Sequence, residues 1–113
     1  MSTYSEGQIL LASKRAWHEG FHLIVYLKQS NKMPGHFIGL MLSTKDTDGN
    51  IKMEPDHFTN GFIYNNTHVA NLVLLKPESW GPFRKIGSLS NAGIAFVNEK
   101  IPMNDNPPLW ENI

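Results

Sequence analysis

His18-Glu19-Gly20-Phe21-His22 runs straight into Leu23-Ile24-Val25-Tyr26-Leu27, and the reading of this stretch decides the fold. The first half matches the H-E-x-x-H pattern of zinc metalloproteases. That pattern carries chemistry only on a helix, where histidines at i and i+4 share one face and the glutamate stands beside the metal as general base. The second half is β-branched and aromatic, the composition of a buried strand. Gly20, inside the motif, costs a helix about 1 kcal/mol relative to alanine. No third ligand follows at the metzincin spacing. The pentapeptide therefore reads as a loop entering a strand, with His22 at the strand's start and no metal assigned. A remote ligand (His36, Asp56, His57 or His68) would be needed to keep a zinc protease, the least favoured alternative.

Outward from this junction the chain is a series of short apolar runs divided by turn chemistry, the pattern of an all-β domain. Residues 7–12 make a first strand and 21–28 a second. Asn31-Lys32-Met33-Pro34-Gly35 is a turn. His36 to Leu42 is a third strand, in which Gly39 marks a bulge or a close backbone approach. Asp46-Thr47-Asp48-Gly49-Asn50 is a hairpin turn into Ile51-Lys52-Met53. It is no calcium loop, because its glycine arrives too early and no closing glutamate follows. Val69 to Lys76 is a fifth strand, ended by Pro77, and Arg84 to Gly87 makes a last short one. Ser90 is placed to cap a helix over 91–100, with Ile94, Val97 and Ile101 on one face and Pro102 ending it. The expected fold is mainly β: a small SH3-like barrel of five to six strands with one C-terminal helix. It forms a single domain over 1–113, with the barrel at about 5–87, the helix at about 90–101 and the tail at 102–113. That tail, with Trp110, is expected to lie over the body or a partner.

The composition fits a globular domain, 41% hydrophobic and 18% charged in 113 residues. Ten Lys and Arg balance ten Asp and Glu, so a nucleic-acid partner would need a local basic patch, not a global field. Arg15 and Arg84 are the only arginines. The absence of cysteine excludes disulfides, Cys-ligated zinc and thiol nucleophiles. With no basic-then-apolar leader at Met1 and no apolar run longer than Phe37–Leu42, the expectation is a cytoplasmic protein without a membrane span. Asn65-Asn66-Thr67 is read as a turn and not as a glycosylation site.

Four stretches, in order, resemble the MazF/PemK-type toxins, a CcdB/MazF-like family of SH3-like barrels. Gly7-Gln8-Ile9 is similar to the family's opening Gly-Asp-Ile strand. His22-Leu23-Ile24-Val25 stands where the family has Arg-Pro and an apolar strand. Phe37 to Leu42 followed by Ser43-Thr44-Lys45 resembles the next strand and its Ser/Thr end. Lys85-Ile86-Gly87-Ser88-Leu89-Ser90 resembles the Lys-Ile-Gly-x-Leu-Ser stretch before the final helix. The resemblance covers about residues 5–101. The Arg-Pro pair itself is absent, and His22-Leu23 replaces it.

The resemblance implies a metal-independent endoribonuclease (an mRNA interferase) acting on single-stranded RNA with no cofactor, as a homodimer silenced by an antitoxin protein. It places His22 at the catalytic position and Ser43 or Thr44 on the phosphate. Such cleavage needs a base for the ribose 2′-OH, donors or cations for the phosphorane-like charge, and an acid for the leaving oxygen. Histidine suits the first and last roles near neutral pH. The candidate catalytic set is His22, Thr44, Arg84 and His36, with Ser43 and Lys45 binding substrate. Bland alternatives stand beside each: a strand edge for His22, turn residues for Ser43 and Thr44, solvated charge for Lys45 and Arg84. Trp17, Trp80 and Trp110 are base-stacking candidates, or core and dimer residues. A non-catalytic barrel that binds a protein partner or nucleic acid is the alternative function.

Overall fold

A computed structural model of the chain describes residues 4–12, 22–44, 46–47, 49–59, 67–80, 83–104 and 107–109. The deciding stretch resolves in favour of the strand. β2 spans His22–Gln29, so His22 is in extended backbone and not on a helix. His18 to Phe21, together with Trp17, Lys45, Asp48, Asn65, Asn66 and Trp110, lie outside the described residues.

Three strands make the centre of the sheet: β1 (Gln8–Ala12), β2, and β3 (His36–Ser43). All pairings between named strands are antiparallel. β1 lies between β2 and β7 (Phe83–Ser88), and β3 flanks β2 on the other side. The far edge of β3 carries two short strands end to end, β5 (His68–Val69) on Leu42 and Ser43 and β6 (Leu74–Pro77) on His36 to Gly39. Between them the ladder is bridged by Ala70 N–H donating to the Met41 carbonyl at 2.9 Å. The fifth strand expected over 69–76 is thus broken into two. β4 (Ile51–Lys52) completes the sheet beyond β5.

The architecture is mainly β, and the described residues form seven strands and one C-terminal α-helix where five to six strands and that helix were expected. Among the described residues the sheet is open, not a closed barrel. Its two sides are nevertheless joined past β4: Phe58 bridges Leu89, and Thr59 N–H donates to the Ser88 carbonyl at 3.0 Å. No helix among the described residues is long and apolar enough to cross a membrane.

Both faces of the central strands are covered, which explains the unbroken apolar run of β2. One face gathers Ile9, Val25, Leu40, Leu42 and Val69 under Val97 of helix α1 (Asn91–Lys100) and Ile101, the residue that caps its end. The other holds Leu10, Ile24, Tyr26 and Phe37, with Tyr4 and Phe83 packed on them. Tyr26 stacks on Phe37 at 5.0 Å, and Phe83 meets Phe37 edge-on at 5.7 Å. Such pairs add about 0.5–1.5 kcal/mol each beyond the area they bury.

Gly39 shows both features its position suggested. It pairs with Tyr26, and the register slips just beyond, so that Leu27 is the extra residue of a bulge in β2. A Cβ at Gly39 would stand 2.9 Å from both the Ile24 Cγ2 and the Val25 carbonyl. The helix begins as expected: the Ser90 hydroxyl oxygen accepts from Gly93 N–H at 3.1 Å and donates to the Asp56 carbonyl at 2.6 Å. Gly93, which weakens the helix locally, is required by packing. A Cβ there would collide with the backbone of His57 in the 3-10 turn Pro55–His57. The His57 ring stacks on Phe96 at 4.3 Å, and its Nδ1 accepts the Glu54 N–H at 3.0 Å. His57 thus fastens the helix to the turn.

The described tail residues 107–109 lie against β6. Leu75 N–H donates to the Pro108 carbonyl at 2.9 Å, Leu109 bridges Leu75, and Pro107 is buried.

Candidate functional site

Strand register fixes which candidates can meet. In an antiparallel sheet the start of one strand lies beside the end of its neighbour. β2 starts at His22, so its neighbours there are the ends of β1 and β3. Ala12 pairs with His22, and the last β2–β3 pair is Leu23 with Leu42, which sets the next residues, His22 and Ser43, side by side in the backbone. Thr44 follows, exposed. His22 and the adjacent pair Ser43–Thr44, distant from it in sequence, therefore share one end of the sheet.

Register extends this row on both sides. Ser43 pairs with His68, and His68 with Lys52. Directly opposed residues project to the same face, with Cβ atoms about 4.5–5.5 Å apart. Ser43 is half-buried, Lys52 is exposed, and His68 retains 7% of its surface. On the other side Ala12 pairs with Phe83, the first residue of β7. Lys85, two residues on, faces the same way and places its Nζ 5.6 Å from the centre of the Tyr4 ring.

Arg84 stands at this end of the sheet, exposed and paired with Leu11. Leu11 also pairs with Leu23, so Arg84 alternates to the face opposite the one that carries Ser43 and His68. Among the described strand residues, the cations on the face of Ser43 are Lys52 and Lys85, near this end, and Lys76, buried opposite Phe37 at the far end of β3.

His36 is not with the others. It begins β3, and Ser43 ends the same strand, so the two are about 23 Å apart at about 3.3 Å per residue. At the far end His36 pairs with Pro77, and its Nδ1–H donates to the Pro34 carbonyl at 3.0 Å. That bond closes the Met33–Gly35 turn, where Ser30 Oγ also accepts the Met33 N–H at 3.0 Å. The described geometry thus joins His22, Ser43 and Thr44, brings Arg84 to the same end on the other face, and leaves His36 out. Sequence reading missed His68 and Lys52, and their only signal was strand pairing.

The described residues contain no group of three His, Cys, Asp or Glu able to hold a metal ion. Set against protein families, characterised proteins and solved structures, the chain matches none. Any functional reading must come from the row itself.

Proposed function

We propose that the protein is a toxin-like, metal-independent endoribonuclease that cleaves single-stranded RNA at the His22–Ser43–Thr44 end of the sheet. One observation carries the reading: the start of β2 and the end of β3, the segments on which the toxin resemblance rests, are adjacent in the backbone. His22 takes the 2′-OH proton, and the freed oxygen attacks phosphorus. The Ser43 and Thr44 hydroxyls donate to the non-bridging phosphate oxygens, whose charge grows in the transition state. Lys52 adds positive potential on the same face, and Arg84 adds it from outside the row. The P–O5′ bond then breaks, leaving a 2′,3′-cyclic phosphate and a 5′-hydroxyl. The same reading carries a cytoplasmic homodimer and a silencing antitoxin protein.

The test is cleavage of mixed-sequence single-stranded RNA by purified protein in a metal chelator, alongside growth after induced expression. Wild type should cut and arrest growth, and His22→Ala should do neither. RNA binding without cleavage, and no growth arrest from either form, would replace this reading with a non-catalytic binding module. The lack of the Arg-Pro pair and the orientation of Arg84 favour that alternative.

A further inference from the structure

We infer that His68 is the second acid/base group of this site, the one that protonates the leaving 5′-oxygen. The inference rests on the endoribonuclease reading, which needs such an acid and loses its first candidate once His36 lies at the far end of β3.

The argument is one of register. β3 separates β2 from β5, so the backbones at His22 and His68 are two strand spacings apart, about 10 Å, with Ser43 between them. A phosphodiester over Ser43 would have one histidine-bearing strand on each side. That is the arrangement an in-line displacement requires, because the attacking and leaving oxygens lie on opposite sides of phosphorus. His68 projects to the same face as Ser43, and the residue keeps 7% of its surface exposed. Its backbone is well held: the preceding residue, Thr67, is buried and its carbonyl accepts the Met53 N–H at 2.9 Å. Lys52, directly opposite, adds a positive charge that favours an approaching phosphate.

The protons balance. The base side gains the 2′-OH proton as the O2′–P bond forms. His68, starting protonated, gives its proton to O5′ as the P–O5′ bond breaks. Proton exchange with water resets both groups.

The experiment is an NMR titration of the imidazole Cε1–H signals of the unmodified protein with the four nucleoside 2′,3′-cyclic monophosphates, which carry the end-group this cleavage leaves. Through-bond assignment makes it independent of whether a His68 variant folds. Saturable shifts of both the His22 and His68 signals are expected. A shift of His22 with His68 unmoved would overturn the role of His68 and leave the site standing. If neither moves, both the inference and the endoribonuclease reading fail. In cleavage assays His68→Gln should lower kcat by about a hundredfold or more and remove the high-pH limb of the rate profile, which reports the acid. A His68→Gln enzyme that is folded and keeps that limb would count against the assignment.

Discussion

The two ends of β3 carry the same kinds of residue and put them to different use. At the His36 end a histidine, a proline and a glycine build a turn, and the imidazole N–H is spent on the Pro34 carbonyl. At the Ser43 end the hydroxyls and the neighbouring histidines stand where separate strands begin or stop, and no tight turn joins them into one local structure. A histidine bonded inside its own turn is a structural part. Histidines brought together by pairing between distant segments form a geometry that no local sequence requires. The contrast teaches that position along the ladder, more than residue type, separates candidate chemistry from architecture.

The contrast can be broken at either end. The largest effect belongs to His22→Ala, expected to reduce RNA cleavage by about 10²–10⁴, the usual worth of a general base. Its control is His36→Gln, measured in the same assay, which should stay within about twofold of wild type. A large loss from His36→Gln would erase the difference between the ends. Midway along the strand, Gly39→Ala should destabilise the protein by about 2 kcal/mol in chemical denaturation, because Ile24 or the Val25 backbone must shift. That substitution tests whether the bulge holds the two ends in fixed register. The smallest effect is thermodynamic: His36→Gln should cost about 1 kcal/mol of stability through loss of the turn hydrogen bond. A stability equal to wild type would show that this bond is not what closes the turn.

Much of the fold is legible in the sequence because its signals are local. The apolar runs of β1, β2 and β3 and the Ser90 cap of α1 lie where their own residues place them. The division of 69–76 into β5 and β6 is not legible. Asn71, inside the break, lies so close to Gly49 that a Cβ there would collide with its side-chain amide, and that distant contact has no local signal. Gly93 misleads locally for the same reason: its cost to the helix is visible, whereas the His57 backbone that demands it lies far away in sequence. At the site, His22, Ser43 and Thr44 follow from order along the chain. His36 was drawn in because it starts the neighbouring strand, but antiparallel pairing sends that start to the opposite end. His68, which the sequence offers only as a remote zinc ligand, is not legible as part of this site because its place beside Ser43 exists only in the ladder.

The pairing of β1 with β7 has a consequence for timing. Gln8 meets Ser88, and Leu89 N–H closes on the Gly7 carbonyl at 2.8 Å, so β1 is completed by a strand made much later. Such contacts carry a high loop-closure cost and slow the search for the native state. On the ribosome, β1 has one edge without its native neighbour until residues near 88 have emerged. A translating chain therefore cannot complete this sheet until β7 has left the ribosome, and any activity that depends on the finished sheet waits for that strand.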